Sequence, residues 1–520
     1  MKKLSILLVM TLFTLGCSDS FLERASETAI AEENFWKSES DAYLALNGVY
    51  DVLQSGILYR GALNATQGYP AYDCLSDNAY NQFEWEGPGR FMEGTLLSDH
   101  VFFRNHWNAS YRGINRVNAV IQNTEEISEE LVPEASKNDL LGQAYFLRAL
   151  FYFNLSVYFE DVPLITKPQI LEEAYVAKNS YDEIYAQVAE DLKKAVSLLP
   201  NDRPGNQFGY ATKGAALGLF ARVQLYNKVY SGEHGVLNLT QQLIGMSYSL
   251  HNDYGKLFTP EAETSPEILF SVRFLRGDDS NNGEKFSATF PKNPKADIRP
   301  MKNLVRDYYM TNGLPITDPN SGYDNANEKV NRDPRLLTTV YFGGDQHMRD
   351  PEYFFKKQQS KTGYGLRKYI RNGPDAEGNA PADFGSQDFY IIRYADVLLM
   401  RAEAMAETGD VTGAASMVDM VRQRVNMPKV DEVEGANGPV SAAEMVEIVR
   451  HERRVELAME GIRFMDIKRW GIVEEAFQRS QADNARSYAP AYNGKSSEVF
   501  PIPQAELDVN KNLVQHPAWQ

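Results

Sequence analysis

The sequence predicts a predominantly α protein: a scaffold of about four helix pairs packed in the manner of tetratricopeptide (TPR) repeats, with long irregular loop regions mounted on it. Three observations predict it. Apolar side chains recur at helical spacing through much of the chain, and small residues stand where neighbouring helices would touch. Two long stretches lose that periodicity and gain Gly, Pro, Asn and Asp.

The chain opens on a leader. Met1, Lys2 and Lys3 make a basic start, and residues 4–15 form an apolar run, too short to cross about 30 Å of hydrocarbon as a helix. That is the pattern of a secretory signal. Gly16-Cys17 ends it, a small residue before a cysteine, as bacterial lipoprotein signals end, although Thr14 stands where that pattern prefers Leu. Residues 1–16 are thus expected to be a signal peptide, with Cys17 the acylated first residue of the mature chain. Residues 17–37 would be a lipidated tether and 38–520 a single domain.

The first predicted helix spans 38–53, on a stripe of Tyr43, Leu44, Leu46, Val49, Tyr50 and Leu53. Residues 54–98 break the pattern and read as loop. Helical spacing resumes over 99–123 and 134–158, then over 180–199, which Pro200 stops, and 212–230. Gly113, Ala144, Ala189, Ala215, Ala216 and Gly218 mark close helix contacts. No clean 34-residue repeat is present, so the TPR-like reading rests on packing pattern alone. From 250 to 385 regular spacing is lost outside short β-like runs such as 268–274. A region that long without elements points to function. Helices return over 387–408, 411–425 and 441–460, within a scaffold of 38–53, 99–250 and 387–470.

Composition narrows the function. The 520 residues carry 53 Lys+Arg against 70 Asp+Glu, a net charge of −17. That balance argues against sequence-independent nucleic-acid binding and, more weakly, against polyanions. With Cys17 consumed by processing, Cys17 and Cys74 cannot form a disulfide framework. The seven histidines show no HExxH or CxxC type of metal spacing, and no motif calls for a cofactor.

Nine segments carry a family resemblance. They begin with Cys17-Ser-Asp-Ser-Phe21-Leu22-Glu23 and Trp107-x3-Tyr111-x2-Ile114-x3-Asn118. Next come Gly142-Gln-Ala-Tyr-Phe-Leu147-Arg148-Ala149 and Asp161-Val-Pro163-Leu164. Asn331-Arg332-Asp333-Pro334-Arg335 follows, then Ile392-Arg393-Tyr394-Ala395-Asp396 with Ala402-Glu403-Ala404. Last are Glu452-Arg453-Arg454-Val-Glu456 with Glu460-Gly461, Asp466-Ile-Lys-Arg469-Trp470 and Phe500-Pro501-Ile502-Pro503. In this order the chain resembles the SusD/RagB family of surface lipoproteins over nearly its whole mature length. Glu160, where the family often has Gly, is a small departure.

Read from the residues, these motifs are structural. Glu452, Arg453, Arg454, Glu456 and Glu460 are spaced for Arg–carboxylate pairs on adjacent turns, and Arg148 reads as an internal tie. The resemblance implies a non-catalytic protein of the outer membrane, exposed at the cell surface. It would capture an oligosaccharide with its irregular regions and deliver it, as a lid, to a SusC-like TonB-dependent transporter. The RagB branch offers peptide as the alternative cargo. A secreted helical glycosidase and a purely structural adaptor are the competing classes.

Sugar recognition needs flat aromatic faces beside Asp, Asn and Arg groups. Residues 69–92 hold that mixture: Tyr69, Tyr72, Tyr80, Phe83, Trp85 and Phe91 among Asp73, Asp77, Asn78, Asn81, Gln82 and Arg90. Trp85, between two glutamates and before Gly-Pro-Gly, is the leading platform. Tyr72, Asp73, Asp77, Asn78, Phe83 and Arg90 are its expected company. Phe286, Phe290, Tyr323 and Tyr364 are weaker candidates in the second irregular region, and Arg276 or Arg299 would suit an acidic ligand.

Overall fold

The computed structural model describes residues 35–62, 66–83, 87–275, 283–289, 297–347, 350–369, 385–486 and 489–520. Eight helices among them build the scaffold as four pairs. These are α1 (Glu39–Leu53) on α2 (Val101–Glu126), α3 (Glu134–Phe159) on α4 (Tyr181–Leu198), α5 (Lys213–Tyr226) on α6 (Val236–Ile244), and α7 (Tyr394–Glu407) on α8 (Val411–Arg424). Consecutive pairs also touch, α2 on α3, α4 on α5 and α6 on α7, so the row is continuous. The predominantly α, TPR-like expectation holds.

Local chemistry sets the helix starts. Ser180 caps α4, accepting from the Glu183 N–H while the Glu183 side chain reaches back to the cap, and Ser38 caps α1 in simpler form. The α3 helix is buried on every side from Gln143 to Phe159, the centre of the row. Gly113 lets α2 approach it: a Cβ there would lie 2.3 Å from the Phe151 ring. Arg148 on α3 forks onto Asp191 of α4 through two 2.7 Å bonds, the internal tie its sequence context suggested.

Between α6 and α7 the chain makes the long excursion, yet α7 still docks on α6. Short antiparallel ladders organise the excursion. Labelling the strands used below, β1 (Ala79–Asn81) pairs with β3 (Ile298–Pro300), and β2 (Ile268–Val272) pairs with β4 (Phe389–Arg393). The second ladder closes the excursion and packs on α5 at Gly218, where a Cβ would meet Ile392 at 2.9 Å.

The acid–arginine motifs lie in the interior. On α9 (Ala442–Glu456), Glu456 accepts from Arg393 at 2.6 Å, Arg424 at 2.6 Å and Arg335 at 3.1 Å. Glu452 takes Arg335 at 2.5 Å and Arg422 at 3.0 Å, and Glu460 takes Lys368 at 2.6 Å and Arg393 at 2.7 Å. Burial alone would raise the Glu456 carboxyl; Arg424, Arg393 and Arg335 outweigh it and hold it well below the usual range. Each guanidinium joins elements distant in sequence, so the cluster ties α9 to both β2–β4 and the excursion. Removing one partner of such a pair leaves a buried charge and typically costs about 3–5 kcal/mol.

Candidate functional site

The stretch 69–92 divides into an interior part and a rim. Residues Tyr69–Leu75 form a 3-10 helix that is buried throughout. The Tyr72 hydroxyl lies 3.0 Å from His106 Nδ1 and the Tyr69 hydroxyl 3.0 Å from His106 Nε2. Burial pushes the His106 pKa down to about 3, so the ring is neutral. It therefore donates to one tyrosine and accepts from the other.

Asp73 accepts from the backbone N–H of Gly461 at 2.7 Å, from Met459 at 3.2 Å and from Asn78 Nδ2 at 2.7 Å. Asp77, fully buried, is the hub of three arginines: Arg479 at 2.7 Å, Arg463 at 2.9 Å and Arg454 at 3.1 Å. Burial would raise its carboxyl, and the three guanidinium groups drive it far below the carboxylate range instead. Asn78 accepts from Arg454 Nε at 3.0 Å. Tyr72, Asp73, Asp77 and Asn78 were expected at the ligand. They are interior residues: Tyr72 ties the loop to α2, and Asp73, Asp77 and Asn78 tie it to α9 and the segments that follow.

The second-region candidates divide similarly. Phe286 is buried, its ring 5.6 Å from that of Phe389 and 5.7 Å from that of Tyr369, so it is core. Tyr364 is buried and donates to Glu328 at 2.6 Å. Tyr323 is half-buried, with the Arg332 guanidinium 5.5 Å from its ring centre. Arg299 is buried on β3. Trp85, Phe290, Arg276 and Cys17 lie outside the described residues.

What remains at the surface is a rim where three chain segments meet. Asn81, at the end of β1, donates to Gln67 Oε1 at 2.5 Å and accepts from the Gly89 N–H at 2.7 Å. Arg60 donates from Nε to the Gly283 carbonyl at 2.8 Å, and Lys285 donates its N–H to the Arg60 carbonyl at 2.9 Å. Phe83 and Arg90 sit on this rim, half-buried, Arg90 donating to Thr95 at 3.2 Å.

The backbone here is unusual. Gly56–Arg60 is a π-helical turn, a form frequent at functional sites. Thr66, Gln67 and Gly68 follow with φ of 74°, 79° and 64°, and a Cβ on Gly68 would come within 2.3 Å of the Leu58 carbonyl oxygen. Two consecutive non-glycine residues in that region hold strain that only surrounding structure maintains. Gln67 is fully buried, and among the described residues its Nε2 has no hydrogen-bond partner; nor has Gln82 Oε1. Sequence reading missed Gln67 because nothing local distinguishes it; only the Gly beside it hints at a turn.

Among the described residues no group of three or more His, Cys, Asp or Glu is placed to hold a metal ion, and no helix is long and apolar enough to cross a membrane. Comparison with known proteins bears on the whole chain. A family model described as "SusD family" matches residues 266–519, and one described as "Starch-binding associating with outer membrane" matches residues 21–225. The chain belongs to the SusD/RagB family. Similar SusD-like relatives include protein P25 of Formosa agariphila, 25% identical over 99% of this chain and 98% of its own. Another is a SusD-like protein of Bacteroides ovatus, 25% identical over 90% of this chain and 82% of its own. A crystal structure titled a SusD-like carbohydrate binding protein, from Bacteroides fragilis, superposes with a TM-score of 0.77. It is 28% identical and covers 92% of this chain and all of its own. In this SusD-like chain the family motifs at 331–335, 392–396 and 452–461 are thus the buried ion network of the fold. They mark the family without forming its rim.

Proposed function

We propose that this SusD-like protein is a non-catalytic, cell-surface glycan-binding lipoprotein, anchored through Cys17, that captures an oligosaccharide and hands it to a SusC-like TonB-dependent transporter. The observation that carries the reading is full-length similarity to a carbohydrate-binding SusD-like protein of the same fold. The rim supports it locally. Asn81 and Gln82 bring side-chain amides to it, and Arg60, Arg90 and Lys285 bring cations. Phe83 supplies aromatic surface, and Trp85, the platform expected from sequence, lies outside the described residues.

Hydrolysis would require two carboxylates facing a cleft, one with a raised pKa. Glu452, Glu456 and Glu460 are bound by cations instead. Glu263 and Asp388 are raised, by burial above all, yet Glu263 accepts from the Asp388 N–H at 2.8 Å and Asp388 from the Phe274 N–H at 3.1 Å. Those bonds brace the end of the β2–β4 ladder.

A glycan array and a peptide array probed with the chain from residue 18, followed by a reducing-end assay on every glycan positive, test the proposal. Binding without release supports it. Release of reducing ends makes the protein a hydrolase, and binding of peptides alone makes the cargo peptide, as in the RagB branch.

A further inference from the structure

Two adjoining depressions of about 140 and 180 Å³ share one wall, Phe208-Gly209-Tyr210. The first lies between the end of α1, at Gln54, and the end of β2, at Arg273. Most arginines of this protein that pair with acids are sealed in its interior, as Arg335 and Arg393 are, with side chains 1% and 2% exposed. Arg273 is different: its side chain is 49% exposed.

It is nevertheless held in place. Its guanidinium lies 4.7 Å from the Phe208 ring centre, and Nη1 donates to the Phe208 carbonyl at 3.2 Å. Nε stands 3.5 Å from Asp388, and the Arg273 carbonyl accepts from Gln54 Nε2 at 2.6 Å. Gly209, at φ 101°, makes this possible, since a Cβ there would fall 2.4 Å from Arg273 Cδ. Nε and Nη1 are therefore both engaged. Among the described residues Nη2 has no hydrogen-bond partner. Phe208 is 38% exposed, an apolar ring beside the cation.

A half-exposed, pre-oriented guanidinium next to an aromatic ring and a carboxamide matches a sugar ring that carries a carboxylate. Nη2 donates to the carboxylate, and the ring supplies contact for C–H surface. We propose that this cleft is a second glycan subsite, separate from the rim, that takes a hexuronic acid residue through Arg273 and Phe208. The acidic net charge of the chain suits it to glycans with scattered carboxylates better than to dense polyanions.

Saturation-transfer NMR with glucuronate and galacturonate, against glucose and galactose, tests this on the chain from residue 18. The uronates should receive saturable transfer, weakened by added salt, and the neutral sugars at least tenfold less. Arg273→Gln and Phe208→Ala should each weaken uronate binding tenfold or more with an unchanged unfolding midpoint. Three results would overturn the proposal: no transfer to the uronates, equal transfer to the neutral sugars, or a response untouched by Arg273→Gln. Loss of uronate binding in the rim variant Asn81→Ala would reassign the ligand to the rim, and so count against the cleft while leaving the rim reading intact.

Discussion

Residues 69–80 and 81–90 both interleave aromatic rings with polar side chains, Asp and Asn in the first and Asn, Gln, Glu and Arg in the second, and meet opposite fates. In the first, every ring named above is core and Asp77 neutralises three arginines. In the second, Asn81, Gln82, Phe83 and Arg90 remain partly exposed around a strained turn. Polar company around aromatics therefore has two causes. One is a ligand; the other is a set of arginines elsewhere in the chain that need buried acids. The arginines that decide the matter lie at 454, 463 and 479, far away in sequence.

The largest effect should come from breaking the interior half. Asp77→Ala leaves Arg454, Arg463 and Arg479 with a missing counter-charge and should destabilise the protein by about 3–5 kcal/mol in urea unfolding. An unchanged midpoint with lost glycan affinity would return Asp77 to the ligand. Gly113→Ala tests packing of the scaffold instead. Its methyl would drive into the Phe151 ring, for a loss of about 1–3 kcal/mol. At the rim the signature should invert. Asn81→Ala should weaken a glycan identified on the array about tenfold, roughly 1.4 kcal/mol, while its urea midpoint moves far less than that of Asp77→Ala.

The smallest effects are in pH. Asp396 is raised by burial but lowered further by Arg222 and Arg453, to about 2. Its contribution is present above the ordinary carboxylate pKa near 4 and is lost as pH falls through about 2. Glu263 and Asp388 are shifted the other way. Their folded forms bind protons that the unfolded chain has released, so their contribution is full below about pH 4 and declines as pH rises through the raised values. Glu263→Gln should therefore flatten the loss of stability between about pH 4 and 8 and leave the limb below pH 4 unchanged, as followed by urea midpoints across pH.

The scaffold could be read from sequence because its signals are local. The helical stripes, Ser caps and small residues such as Gly113 act within a few turns or on the adjoining helix. The polar role of Glu452, Glu456 and Arg148 was equally open, since spacing on one helix already suggests ion pairing. The candidate site was not, for two reasons. Asp73 and Asp77 are claimed by backbone and arginines some 380 residues away in sequence, and no local pattern encodes that. Gln67 matters through φ and an unpaired amide, both set by the packing of its turn.

If ligand is held at the rim, substitution of Trp85 is its sharpest probe. Isothermal titration should compare the chain from residue 18 with its Trp85→Ala variant against the glycan found on the array. Trp85→Ala should lose at least tenfold in affinity with an unchanged urea midpoint. Undiminished binding in Trp85→Ala, with the protein still folded, would contradict it.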